Sequence, residues 1–328
     1  MKILGIETSC DETSAAIVQD GVKVLSNVVS SSLDIHAKTG GVIPEVAARE
    51  QVKAMVPVLE ETFQLARVNS NDIDAIAVTY GPGLIGSLIV GVETAKTLSY
   101  IWKKPLIPVN HLVGHIYANW LDNPKPPTFP NLALVVSGGH TELVLMKSHG
   151  KFEWLGGTRD DSAGEAFDKT ARVLGLGYPG GPSIQKAGEK GNPNSFSLPR
   201  PLSGSPDFDF SYSGLKTAVV NLIAKTPPKS KQEVSNFAAS IQEAIVDSLL
   251  VKTIKAAKKY NVREVLLGGG VAANTRLREK LSANFAGRVI APNPKLAVDN
   301  AAMVGGSAFF NCNPISWKKL KPNPGLLI

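Results

Sequence analysis

The chain opens on an apolar run, KILGIE, that breaks at the small polar turn TSCDET and resumes around Ala15–Val18 before a Gly turn and a third run. Runs this short, bounded by turn residues, predict strands rather than helices. The layout of Lys2–Ser26 returns at Asn131–Gly156, where NLALVV, the turn SGGHT, a second run and a Gly turn follow in the same order. Further along, Asp74–Thr79 and Glu264–Leu267 are apolar strands entering glycine loops, GPG at 81–83 and GGG at 268–270, and a helix follows each loop. PLIPVN before His111 and GRVIAPN before Lys295 are short strands ending in similar turns, and each leads into another helix.

A β-β-β-α-β-α-β-α order used twice predicts two α/β domains with mixed sheets and a cleft between them. Pro-rich DNPKPPTFPN at 122–131 marks the join, which places the domains at 1–125 and 126–328, with the C-terminal helix free to pack back on the first. Residues 156–214 read as a loop-rich insertion in the second domain. With 328 residues, 43% hydrophobic and 19% charged, the chain can bury a real core in each half, which excludes disorder. No long apolar stretch follows Lys2, so neither a signal peptide nor a membrane span is predicted, and a cytoplasmic protein is expected. Two cysteines, Cys10 and Cys312, cannot build a disulfide framework or a four-thiolate zinc site. The net charge of +7 suits a polyanionic partner, although lysines grouped at 252–259 and 318–321 equally describe solvated surfaces.

The candidate chemistry sits in the turns. Ser137-Gly138-Gly139-His140-Thr141 joins two strands, where bare backbone N–H groups and hydroxyls can approach an anion. Its counterpart in the first half is Thr8-Ser9-Cys10-Asp11-Glu12-Thr13. The GGG loop ending at Asn274 joins a strand to a helix, a place where a nucleotide can rest on backbone, or where glycine simply permits tight packing. Neither GxGxxG nor GxxxxGK[ST] is present, which disfavours the Rossmann and P-loop folds. His111 and His115 are four apart in HLVGHIYANW, so a helix turns both imidazoles to one side. By the internal repeat, Asp299 follows the matching strand of the second half and should face them. Two nitrogens and a carboxylate oxygen suit iron(II) or zinc better than magnesium, while a helix cap is the plainer role for Asp299. Leu112 stands where a zincin protease needs glutamate, which removes that hydrolytic class.

Taken together, IETSCDETSAA, GPGLIGSL, HLVGH, VVSGGHTEL, GEAFDKTARVLGLGYPGGP, GGGVAANTRLR and VDNAAM resemble the TsaD family, the tRNA adenosine threonylcarbamoyltransferases, over nearly the whole chain. The resemblance implies the duplicated actin-like ATPase fold of acetate and sugar kinases, chaperone ATPases and actin, with a nucleotide cleft between similar domains. It implies transfer of threonylcarbamoyl from threonylcarbamoyl-AMP to N6 of the adenosine beside the anticodon, in tRNAs reading codons that begin with A. Carried over by motif, His111, His115 and Asp299 are the metal ligands, with Fe(II) preferred over Zn(II). Val135, Val136, Ser137, Gly138, Gly139, Asp168, Gly181 and Asn274 line the site for an adenine nucleotide, threonylcarbamoyl-AMP or ATP. Asp11 is the candidate proton acceptor, and Cys10 reads as a structural thiol. Gln185 departs from the acidic residue many relatives carry, and Val135, in place of an archaeal and eukaryotic tyrosine, points to the bacterial branch. tRNA, a TsaB-like paralogous subunit and a TsaE-like ATPase are the implied partners. A kinase of the same fold and an ATP-switched scaffold are the rival readings, and neither needs the His111, His115 and Asp299 set.

Overall fold

A computed structural model describes residues 1–37 and 41–328. In chain order the first part runs β1 (Lys2–Glu7), β2 (Glu12–Gln19), β3 (Lys23–Ser31), α1 (Leu33–Ala37), α2 (Pro44–Ala66), β4 (Ala75–Gly81), α3 (Ile85–Trp102), β5 (Leu106–Asn110) and α4 (His111–Tyr117). The middle holds β6 (Asn131–Val136), β7 (Thr141–Ser148), β8 (Lys151–Gly157), α5 (Ala163–Val173), α6 (Gly180–Gly188), α7 (Ser213–Lys225) and α8 (Lys231–Lys259). Then come β9 (Glu264–Gly268), α9 (Thr275–Asn284), β10 (Arg288–Ile290), α10 (Pro294–Ala297) and α11 (Ala301–Phe310). Among the described residues no helix is long and apolar enough to cross a membrane.

The chain divides into two compact units, one made of Met1–Pro127 with Pro292–Ile328, the other of Thr128–Ala291. Their sheets are built alike. In the first the strand order is β3-β2-β1-β4-β5, and in the second β8-β7-β6-β9-β10. Each begins as an antiparallel meander and ends with two parallel additions beside the first strand.

Alternation along β1 explains how the first unit is layered, because successive side chains of a strand point to opposite faces. Leu4 and Ile6 join Val58, Val78 and Val92 in a core that includes residues of α2 and α3. Ile3 faces the other way and packs with Ala75, Ala77, Met303 and Val304, so α11 covers that face. The approach is close enough that a Cβ on Gly5 would overlap the Ala301 carbonyl oxygen, which excludes any larger residue there. The carboxylate of Glu7 follows from the same alternation. It ends the Ile3–Gly5 face, beneath α11 and α4.

The second unit has one large core, in which Leu132, Leu134 and Val136 of β6 meet Phe167 of α5 and Ile241, Ile245 and Leu249 of α8. The stretch expected to be loop-rich contains two helices, α5 and α6, ahead of an irregular segment. α5 starts where Ser162 and Glu165 form a reciprocal capping box, and its apolar side, Ala163, Ala166 and Phe167, is buried.

Candidate metal centre and nucleotide loops

Asn110 ends β5 and turns the chain into α4 by accepting hydrogen bonds from the backbone N–H groups of Leu112 and Val113 at 2.9 and 3.3 Å. The helix therefore starts at His111, and the four-residue spacing brings His115 beside it, with ring centroids 4.6 Å apart. Asp299 completes the group. Its Oδ1 lies 3.1 Å from His115 Nε2 and 3.6 Å from His111 Nε2, and one donor atom from each residue falls within 4.8 Å of the others.

Asp299 does not cap α11; Asn300 does, accepting from the Met303 N–H at 3.2 Å while its amide donates to the Leu296 and Val298 carbonyls. The backbone N–H of Ala301 in turn donates to Ser14 Oγ. That bracing turns the Asp299 carboxylate toward the imidazoles. All three donors belong to the first compact unit, although Asp299 comes from the last part of the chain, so a donor set expected from two halves is supplied by one unit. The cause is α11, which packs over β1 and β4 and carries the preceding turn with it.

Whether these side chains suit a divalent cation is tested by His115, which is fully buried and whose two ring nitrogens find no hydrogen-bond partner among the described residues. The 3.1 Å approach of Nε2 to Asp299 thus lacks hydrogen-bond alignment. Buried polar atoms are nearly always satisfied, and an ion in this position would satisfy Nε2, the nitrogen that faces Asp299. Burial pulls the His111 imidazolium down, yet the carboxylates of Asp299 and Glu7 outweigh it, and the ring is pushed up to about 9. Burial likewise favours the neutral form of Glu7, but His111 overcomes it and holds the carboxyl below its ordinary value.

The neighbouring turn is also buried. Asp11 accepts from Ser32 Oγ through its backbone carbonyl at 2.9 Å, and its carboxyl meets Cys10 and Glu12. Burial, then Asp11 and Asp299, push the Cys10 thiol far up, which removes it as a nucleophile. Burial and the charges of Asp299 and Asp11 also raise Glu12 well above an ordinary carboxylate.

In the second unit residues 135–139 lie at the end of β6 and Asn274 follows β9, while Asp168 and Gly181 lie on α5 and α6. Val135 and Val136 are buried in β6 and deliver the Ser137-Gly138-Gly139 turn. That turn is closed by Ser137 and His140 and pinned to the start of α5, where Ser162 Oγ donates to the Gly138 carbonyl at 2.5 Å and the Gly164 N–H to the Ser137 carbonyl at 3.2 Å. Gly269 has φ of 85°, and a Cβ there would overlap the Val136 carbonyl, so the GGG loop sits directly on β6. By contrast, a Cβ built on Gly138, Gly139, Gly181 or Gly270 would meet nothing within 4 Å. Those four backbones border open space that a ligand could fill.

Among the described residues no lysine pairs with Asp168: its Oδ1 accepts from the Gly180 N–H at 2.6 Å, and Lys169 pairs with Asp161 instead. Burial raises Asp168 above its ordinary value despite that bond. Asn274 caps α9 by accepting from the Leu277 N–H and donates to Gln242, so one amide hydrogen is left for a ligand. Gln185 accepts from the Thr275 N–H at 2.9 Å, which ties α6 to the start of α9.

Glu7 was not singled out from sequence. Its signal was a carboxylate that follows the apolar run at residues 3–6 directly.

Comparison with known proteins agrees with this plan. Component A of (R)-2-hydroxyglutaryl-CoA dehydratase from Acidaminococcus fermentans aligns over 95% of this chain and 98% of its own, with a TM-score of 0.57 and 15% identity. HypF from T. kodakarensis aligns over 94% of this chain and 47% of its own, with a TM-score of 0.63 and 14% identity. At such identities the likeness defines the class, a duplicated α/β protein of the actin-like ATPase fold. The family model for TsaD, tRNA N6-adenosine threonylcarbamoyltransferase, matches residues 23–306. Proteins of that name from Thermomicrobium roseum and Bacillus subtilis strain 168 are each 51% identical over 94% of this chain, covering 92% and 89% of their own lengths. A third, from Syntrophomonas wolfei, is 51% identical over 99% of this chain and 97% of its own. The chain belongs to the TsaD family and is a transferase that threonylcarbamoylates tRNA. Such a family implies a metal and a nucleotide-type substrate, and His111, His115 and Asp299 form a possible site for the former.

Proposed function

We propose that the chain transfers threonylcarbamoyl from threonylcarbamoyl-AMP to N6 of the adenosine adjacent to the anticodon in tRNAs reading codons that begin with A. The observation that carries the metal part is the buried His115, whose ring nitrogens have no hydrogen-bond partner among the described residues, beside His111 and Asp299. His111, His115 and Asp299 would hold one divalent ion, Fe(II) ahead of Zn(II) given the mixed nitrogen and oxygen donors. Bound there, the ion would supply Lewis acidity toward a substrate oxygen. Val135, Val136, Ser137, Gly138, Gly139, Asp168, Gly181 and Asn274 would hold the nucleotide, with open backbone at the three glycines receiving its phosphate side. The donor carbonyl is already activated by the phosphate it leaves, so orientation and charge stabilisation suffice, and the raised Cys10 thiol agrees with transfer without a covalent intermediate. Asp11 is our candidate acceptor for the proton leaving the adenine amine.

A TsaB-like subunit and a TsaE-like ATPase would complete the working enzyme, in the cytoplasm. The exposed pairs Val52 and Val56 on α2 and Ile85 and Ile89 on α3 give the first unit an apolar helical face suited to a subunit contact. The test is reconstitution of the chain with those partners, threonylcarbamoyl-AMP and unmodified tRNA, followed by digestion and detection of the modified nucleoside. Wild type should form it, and His111→Ala and Asp299→Ala should not. Equal product from either variant overturns the metal reading.

A further inference from the structure

Glu7 is fully buried inside the first unit, at the end of a strand that is apolar over residues 3–6. A carboxylate in such a place is costly unless each oxygen is answered. Here Oε1 accepts from the Ser9 backbone N–H at 2.6 Å and Oε2 from Thr79 Oγ1 at 2.5 Å. Oε2 then points at His111 Nδ1, 3.3 Å away, while Ser9 Oγ lies 3.1 Å from the same nitrogen. On its opposite side the ring turns Nε2 toward Asp299.

The two neighbours of Nδ1 are not equivalent. A serine hydroxyl can donate or accept, so it is indifferent to the tautomer of the ring. A carboxylate can only accept, and a lone pair on Nδ1 would face its negative charge. We propose that Glu7 is a positioning residue for His111, holding the hydrogen on Nδ1 so that the Nε2 lone pair is turned to the ion. It acts through the ring and touches neither ion nor substrate. Thr79 belongs to the same device, since its hydroxyl fixes which way Oε2 points. Partners of this kind behind metal-bound histidines typically govern affinity by about 10–100-fold.

This inference rests on the metal reading of the triad, and the experiment separates the two. Zn(II) affinity of the full chain, stripped of metal, is measured by competition with a chromogenic chelator, beside the melting temperature of the metal-free protein. In Glu7→Gln the amide keeps the Ser9 bond through its oxygen and turns its NH₂ toward Thr79 and His111, which favours hydrogen on Nε2 instead. We expect zinc binding to weaken about 10–100-fold in Glu7→Gln while metal-free stability changes little, and ring-nitrogen NMR of the zinc-loaded wild type to show His111 protonated at Nδ1. Ser9→Ala should weaken zinc binding less than Glu7→Gln. Thr79→Val, which keeps the charge, should show a smaller loss in the same direction and carries the test if Glu7→Gln does not fold. Unchanged affinity in a folded Glu7→Gln, or in Thr79→Val where it stands in, overturns the role of Glu7. A wild type that binds zinc no better than His111→Ala defeats the metal reading, and this inference falls with it.

Discussion

The two sheets share a strand order, yet matching positions carry opposite chemistry. β1 and β6 are both six-residue central strands, β1 buried from Ile3 onward and β6 throughout, and where the first ends in Glu7 the second ends in Val136. The turn after β1 is packed with side chains, Ser9, Asp11 and Glu12, and lies near the imidazoles. The turn after β6 is Gly138-Gly139, bare backbone with open space in front. One strand end is crowded by carboxylates and imidazoles, as the proposed cation site requires, and the other leaves bare backbone, as the proposed phosphate contact requires. Duplication supplied the frame, and divergence at strand ends supplied the two kinds of site.

The contrast breaks most severely at the first unit. His115→Ala removes a donor outright, so it should exceed an outer-shell change and lose more than about 100-fold in metal affinity, read as metal content by mass spectrometry. The corresponding change in the second unit is a matter of space. Gly164→Ala places a methyl against the Ser137 carbonyl and the Gly138 backbone, and should destabilise by roughly 1–3 kcal/mol in a thermal melt. Gly138→Ala meets nothing and should leave the melt unchanged while weakening adenine-nucleotide binding, measured by calorimetry. Equal melting losses at both glycines would mean that the open space is filled by protein.

The smallest effect lies away from either site. Glu243 is held down to about 2 by Arg276 and then Lys280, both hydrogen-bonded to it, with burial opposing. Because the folded value lies below the ordinary 4.5, its stabilisation is present above pH 4.5 and is lost as the pH falls toward 2. Glu243→Gln should therefore flatten the acid limb of the stability curve between those values and cost about 1–2 kcal/mol near neutrality, followed by urea unfolding.

Much of this was legible in the residues. Strand-turn-strand order could be read twice because each strand is a short apolar run ended by Gly, Ser or Asp, and the histidine pair because four-residue spacing is a helix face. The C-terminal helix was allowed to pack back on the first half, but that it brings Asp299 into that unit was not read, since this depends on α11 packing over β1 through Gly5 and Ala301, a contact nearly 300 residues apart in sequence. Glu7 escaped for a related reason. Its partners Thr79 and His111 come from other strands and helices, so no local pattern contains them. α5 and α6 were hidden by glycines and prolines, although the Ser162–Glu165 box announced the first.

The first unit is assembled from both ends of the chain, with Thr128–Ala291 intervening as a contiguous piece. At a synthesis rate of about 5–20 residues per second, the ribosome needs roughly 10–40 s to travel from His115 to Asp299. Most of that interval is spent making the second unit, which ends at Ala291, and the histidines wait for their carboxylate throughout. A nascent chain halted before Asp299 would present two imidazoles without the third donor.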